Sequence, residues 1–250
     1  MKEVIEKYTK SVRRLILLDY DGTLVDFSPI PEKAIPSEEL VDILKKLENN
    51  PKTTVIIISG RIYQDIDKLL GHLPIVLIAE HGAMFKINGE WKRQAIDNDL
   101  WKNKVLPILN QITLTCPKSF VEEKQFSLNW DYRYVDSESG YIRSREIIRM
   151  LEDNYIQSYN LKILDGNKSV EIMSKEISKG KAIIKMIEQN NYDYILSIGD
   201  DATDEEMFEF LLDQPNAETI KIGNTTTLAK HKLNDVKDVI ILLKQLSSCD

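Results

Sequence analysis

The chain has 250 residues, 42% hydrophobic and 29% charged, the composition of a folded globular protein with room for one large domain or two modest ones. Forty acidic side chains against thirty-three basic ones leave a net charge of −7, so no general polycation is on offer to nucleic acid or an anionic membrane, and an anionic ligand must be held by local charge. The longest apolar runs, Val55–Ile58 and Val239–Leu243, fall far short of the roughly 20 residues that cross a bilayer.

Residues 1–13 mix Lys, Glu and Tyr without an apolar signal core, so a cytoplasmic protein is expected, with a polar start that suits a linker or a free terminus. From Arg14 the run Leu15–Leu18 reads as a buried parallel strand closed by Asp19-Tyr20-Asp21-Gly22. Ser37 to Asn49 carries Leu40, Ile43, Leu44 and Leu47 at helical spacing behind a Ser37 cap, and leads to a strand over Thr54–Ile58 that ends at Ser59-Gly60-Arg61. A helix over Ile62–Leu70, a strand over Ile75–Ala79 and a hairpin over Ala83–Trp91 turning at Asn88-Gly89 follow.

Residues 98–176 change character. A helix over Leu100–Ile112, a strand over Val121–Arg133, a helix over Ser139–Asn154 and strands over Leu161–Leu164 and Ser169–Met173 predict an α+β insert, its sheet wet on one face because Phe126, Leu128 and Trp130 alternate with polar residues. The βα rhythm then returns: helix Lys179–Asn190, strand Tyr194–Ile198, acidic turn Gly199–Asp204, helix to Leu212, strand Glu218–Ile222 and helix Asp238–Leu246. The expected fold is α/β: a doubly wound, Rossmann-like parallel sheet from residues 1–97 and 177–250, interrupted by the insert at 98–176.

In such sheets ligands lie beyond the carboxyl ends of the strands, where Asp19, Asp21, Ser59, Asp200, Asp201 and Asp204 all fall. Either acidic turn alone reads as a capped turn, but two at separate strand ends crowd like charges that a divalent cation would neutralise, and an all-oxygen set favours Mg²⁺. Cys116 and Cys249 are far apart and His72, His81 and His231 are scattered, so neither a disulfide framework nor a Cys/His zinc site is expected. Asp19 and Asp21 are two apart at the end of an extended segment and can face one side, one to attack and the other to carry a proton.

Asp19-Tyr20-Asp21-Gly22-Thr23, Ser59, Lys179 and Gly199-Asp200-Asp201-Ala202-Thr203-Asp204-Glu205 resemble, in order, the four motifs of the haloacid dehalogenase-like (HAD) phosphatases. Ser59-Gly60-Arg61, Ala79-Glu80-His81-Gly82-Ala83, Val121-Glu122-Glu123-Lys124, Tyr132-Arg133 and Ser169-Val170-Glu171 narrow the resemblance to the trehalose-6-phosphate phosphatases, over nearly the whole chain from Arg14 to Leu246. The resemblance implies hydrolysis of trehalose 6-phosphate through an aspartyl-phosphate, with Asp19 as nucleophile and Asp21 as acid and base. It also implies Mg²⁺ on Asp19, the Asp21 carbonyl and Asp200, supported by Asp201 and Asp204, with Ser59 and Lys179 on the phosphoryl oxygens. Lys179 is preferred to Lys181 because it directly precedes Gly180.

The insert is then a cap of the C2 type whose Glu122, Lys124 and Glu171 hold the sugar; as bare sequence these three read as polar strand residues. Arg133 is a candidate cap cation or a surface ion pair, Arg61 orients substrate or pairs at a helix start, and His81 reads as a core histidine. One departure stands out: many relatives carry His before Tyr-Arg, where this chain has Asp131. That departure keeps another sugar phosphate, such as sucrose phosphate or a mannosyl phosphoester, open as substrate. A catalytically silent sugar-phosphate-binding domain and a phosphorylated receiver domain are the readings from other classes. The expected partner is a small phosphorylated disaccharide, with association to a trehalose-6-phosphate synthase implied by the family.

Overall fold

The computed structural model describes residues 1–28, 30–94 and 99–249, and the boundary expected at 97/98 lies outside them. The chain divides into two compact units, Met1–Gln94 with Ser178–Asp250, and Ala95–Ile177. In the first unit α1 (Lys2–Lys10) is followed by β1 (Arg14–Asp19), α2 (Glu38–Glu48), β2 (Thr53–Ile58), α3 (Tyr63–Leu70), β3 (Val76–Ala79), β4 (Met84–Ile87) and β5 (Glu90–Arg93). The start of the chain, polar and helix-prone by sequence, folds as helix α1 with Val4 and Tyr8 as its buried anchors. Their partners are remote: the Tyr8 hydroxyl lies 3.1 Å from Thr53 Oγ1, and the Arg14 guanidinium stacks 4.2 Å over the Tyr8 ring. β4 and β5 form the expected hairpin, with Asn88 and Gly89 both at positive φ as a two-residue turn of primed type requires.

The second unit holds α4 (Lys102–Thr115), β6 (Phe120–Glu123), β7 (Ser127–Asp131), α5 (Ser137–Leu151), β8 (Leu161–Gly166) and β9 (Ser169–Ser174). Its antiparallel sheet has the order β6-β7-β9-β8. Leu128, Trp130, Val170 and Ile172 line one face and pack with Val105 and Leu109 of α4 and Ile147 and Leu151 of α5. Two expectations are corrected here. The single strand over Val121–Arg133 is two strands, since the chain reverses where Lys124 N donates to Ser127 O at 3.1 Å. The polar side of β7 is not wet: Ser127, Asn129 and Asp131 are buried and engaged by side chains of neighbouring residues. Alternation separates apolar from polar faces and is blind to whether the polar one meets water or charge. Helix α5 starts two residues early because the Asp136 carboxylate accepts from Ser139 N at 2.9 Å.

The chain returns to the first unit with α6 (Lys179–Glu188), β10 (Tyr194–Gly199), α7 (Ala202–Leu211), β11 (Ala217–Ile222), β12 (His231–Leu233) and α8 (Val236–Leu246). Strand β12, only three residues long, was not expected. The eight strands run β12-β11-β10-β1-β2-β3-β4-β5, parallel from β12 to β3 and antiparallel at β4 and β5, so the fold is mixed α/β on a parallel core. Successive residues of a strand face opposite sides. Leu15, Leu17, Ile56, Ile58 and Ile195 therefore pack with Ala182 and Ile183 of α6 and Met207 and Leu211 of α7, while Ile16, Leu18, Val55 and Ile57 are buried on the other side. Each such side chain, taken wholly from water, stabilises the sheet by about 1.5–3 kcal/mol. The chain leaves β1 toward β2 and comes back to β10 on its other flank, which makes the carboxyl end of β1 the switch point of the sheet. Among the described residues no helix is long and apolar enough to cross a membrane.

Candidate active site

Asp19 is the last residue of β1, and the chain then turns at Gly22, whose φ is +86°. A Cβ at Gly22 would lie 2.3 Å from Asp200 Oδ2, so both the turn and the approach of the β10 loop require glycine there. Asp201 caps α7, its Oδ1 accepting from Thr203 N at 2.8 Å and Asp204 N at 3.2 Å. Asp204 Oδ2 reaches back to the backbone N–H groups of Asp200 and Asp201 at 2.8 and 3.1 Å. Ser59 follows β2 and is buried, and Lys179 opens α6 with its backbone N–H on Glu206 Oε2 at 3.2 Å.

Lys179 is 1% exposed, and its Nζ donates to Asp19 Oδ1 at 2.7 Å and Asp204 Oδ1 at 2.9 Å. Burial alone would lower its pKa, but the charges of Asp19 and Asp204 outweigh that and raise it well above the ordinary lysine value. Asp19 and Asp200 also rise, but for the opposite reason: burial, reinforced by the neighbouring carboxylates, pushes each up to about 7 despite the Lys179 charge. For Asp201 burial is outweighed by the Lys179 charge and the Thr203 hydrogen bond, and its pKa falls to about 2.

Asp21 meets Arg61. The guanidinium grips both carboxylate oxygens, Nε to Oδ2 at 2.7 Å and Nη2 to Oδ1 at 2.6 Å, and Nη2 also donates to Pro31 O at 3.0 Å. Arg61 is thus paired with a carboxylate of its own chain.

Asp19, Asp200 and Asp204 each present an oxygen within 4.8 Å of the others, a set that fits a hard divalent cation. The oxygens differ in availability. Asp204 spends both on Lys179 and the backbone, whereas Asp19 Oδ2 is buried with no hydrogen-bond partner, and Asp200 Oδ1 accepts only a long 3.3 Å bond from Thr23 Oγ1. Asp19 and Asp200 are therefore the carboxylates with room for a further ligand, and Asp201 and Asp204 hold the loop around them.

In the second unit Glu122, Asn129 and Glu171 lie in register across β6, β7 and β9. Lys124 Nζ donates to Glu171 Oε1 at 3.0 Å, gathering Glu122, Lys124 and Glu171 into one polar row. Arg133 is held by Asp131, with its backbone N–H on Oδ1 at 2.9 Å and its guanidinium on both oxygens. The substituted aspartate is thus occupied in fixing its neighbour. Three residues of the site carry no role by sequence alone: Thr23, which ends the Asp19–Thr23 motif, Glu206, which follows the Gly199–Glu205 motif, and Lys221, whose Nζ donates to Asp201 O at 3.2 Å. Lys221 carried no signal, being one lysine in an apolar strand.

The trehalose-phosphatase family model matches residues 17–237. The chain is 35% identical over 251 residues to alpha,alpha-trehalose-phosphate synthase [UDP-forming] B of Dictyostelium discoideum, covering 98% of this chain and 32% of the relative. It is 36% identical over 242 residues to a bifunctional trehalose-6-phosphate synthase/phosphatase of Thermoproteus tenax, covering 96% and 32%. It thus spans about a third of the length of these curated relatives. Among solved structures it superposes on the C-terminal domain of the C. albicans trehalose-6-phosphate phosphatase with a TM-score of 0.92 at 30% identity, covering 100% of this chain and 97% of that one. With five carboxylates, a buried lysine and a serine collected at the switch point of the sheet, and the family match running through every strand that carries them, the chain belongs to the trehalose-phosphatase family of HAD-type proteins.

Proposed function

We propose that the chain hydrolyses trehalose 6-phosphate to trehalose and inorganic phosphate, with residues 1–97 and 177–250 as catalytic core and 98–176 as the cap that selects the sugar. The observation that carries this reading is the state of Asp19: buried, one oxygen on a charged lysine and the other bare. Such a carboxylate is a nucleophile held at one end and free at the other. Asp19 Oδ2 attacks phosphorus, the bond from phosphorus to the sugar oxygen breaks, and Asp21 gives that oxygen its proton. A water then loses a proton to Asp21 and attacks the aspartyl-phosphate, releasing inorganic phosphate and Asp19. Ser59 and Lys179 hold the phosphoryl oxygens as their charge redistributes. Asp21 must carry a proton for the first step, so Arg61 has to yield part of its grip, whereas in the second the Arg-held carboxylate is ready to accept one.

Asp19, the Asp21 carbonyl and Asp200 would hold a Mg²⁺ ion, which supplies charge neutralisation to the transferring phosphoryl group. Glu122, Lys124, Arg133 and Glu171 supply paired donors and acceptors for sugar hydroxyls. The bifunctional synthase/phosphatase among the relatives supports a trehalose-6-phosphate synthase as a working partner. The test is phosphate release with Mg²⁺ from trehalose 6-phosphate, sucrose 6-phosphate, glucose 6-phosphate and a small aryl phosphate, beside Asp19→Asn. Preference for trehalose 6-phosphate that vanishes in the variant is expected. Hydrolysis of the aryl ester alone would sink the sugar assignment, and no hydrolysis at all would favour a silent binding domain.

A further inference from the structure

Three consecutive residues after β3 have left-handed backbone: Glu80 at φ +47°, His81 at +56° and Gly82 at +113°. Glycine adopts this readily, but two adjacent residues with side chains do so only where their surroundings hold them. Here Glu80 N donates to Arg61 O and His81 N to Ser59 O, both at 3.0 Å, so the segment is tied to the loop that carries Ser59. The buried imidazole is seated on the same loop: a Cβ at Gly60 would lie 2.6 Å from His81 Cε1 and Nε2. On its other side the segment abuts the entry to α6, since a Cβ at Gly82 would lie 2.9 Å from Ser178 O and 2.8 Å from Ala182 Cβ.

We infer that His81 is a positioning residue whose ring, wedged against Gly60 on a left-handed backbone, sets the spacing between Ser59 and Lys179. This rests on the reading of those two as the groups that hold the phosphoryl oxygens. A serine fixed by β2 and a lysine fixed by α6 have no direct covalent reference to each other, and the Glu80–Gly82 segment touches both supports. Histidine suits the place twice over: it tolerates the left-handed region better than most residues, and its flat ring fills a gap that a Cβ at position 60 would close.

The test is a double-mutant cycle of Gly60→Ala and His81→Asn, the asparagine keeping left-handed tolerance while withdrawing the ring. It is read as kcat and KM on an aryl phosphate, affinity for orthovanadate, and Tm. Gly60→Ala alone drives a methyl into the ring and is expected to lower kcat and vanadate affinity by about 100-fold, the effect of a misplaced binding group. His81→Asn alone costs about tenfold in kcat with little change in Tm. The double variant recovers activity relative to Gly60→Ala, because the ring the methyl would strike is gone. Losses that simply multiply, a harmless Gly60→Ala, or losses that follow Tm with vanadate affinity unchanged would overturn the inference. Should Gly60→Ala fail to fold, unchanged kcat and vanadate affinity in His81→Gly overturn it as well. The sugar assignment fails separately, when the wild type hydrolyses the aryl ester but not trehalose 6-phosphate; a wild type that binds no vanadate overturns both.

Discussion

Replacing Asp19 by asparagine should make the metal-free protein more stable while abolishing turnover. Asp19 is 5% exposed, and its pKa is raised from 3.8 to about 7 by burial, Asp200 and Asp201 against the pull of Lys179. A carboxyl whose folded pKa is raised costs nothing below its unfolded value. Between the two values the unfolded chain is ionised while the folded chain keeps its proton, so stability falls as pH rises, and above the folded value the deficit is complete. The interval from 3.8 to about 7, at about 1.4 kcal/mol per pH unit, amounts to about 4 kcal/mol at pH 8 and between 1 and 2 kcal/mol at about pH 5. Asparagine keeps the shape and sheds the charge. For a protein of this size about 4 kcal/mol corresponds to a gain of roughly 10 °C in Tm. Calorimetric unfolding of wild type and Asp19→Asn in chelator at several pH values between these limits reads it directly. Added Mg²⁺ should narrow the gap, since it stabilises only the form that binds it. A variant no more stable than wild type at pH 8, or a gain that does not grow with pH, would refute the reasoning.

Lys179→Met strands Asp19 and Asp204 without their shared cation, so urea unfolding should show a loss of about 3–5 kcal/mol in the metal-free protein, together with loss of phosphate release. Arg61→Lys keeps the charge but loses the two-pronged hold on Asp21; turnover of sugar phosphates should fall by about 10- to 100-fold, and of an aryl phosphate, whose leaving group needs little acid help, much less. Equal losses on both substrates would count against Asp21 as the group Arg61 serves. Gly22→Ala brings a methyl to 2.3 Å from Asp200 Oδ2 at a φ of +86°, and Mg²⁺ affinity measured by titration calorimetry should drop at least about tenfold.

Much of the candidate site was legible because strand ends are. Buried parallel strands appear as short apolar runs, and whatever polar residues interrupt them stand where such sheets bind ligands, so Asp19, Asp21, Ser59 and the Gly199–Asp204 turn could be picked out before any fold was drawn. Lys179 needed the order of the motifs, since a lysine at the start of a helix is otherwise unremarked. What each charge is paired with was not legible at all. Arg61 on Asp21, Asp131 on Arg133 and Lys179 between Asp19 and Asp204 join positions whose separation along the chain runs from 2 to 160 residues. The seat of helix α1 and the whole of strand β12 escaped for a like reason: what they pack against, Thr53 and Glu218, lies far along the chain.

The sequence by itself determined the order of strands and helices, the interruption by a second unit and the inventory of carboxylates, because hydrophobic periodicity and turn residues act over a few positions. Only the tertiary structure decided which carboxylate oxygen is bare, which cation is spent on which anion and what stands against Gly22 and Gly60, because those depend on distances between segments that the sheet alone brings together.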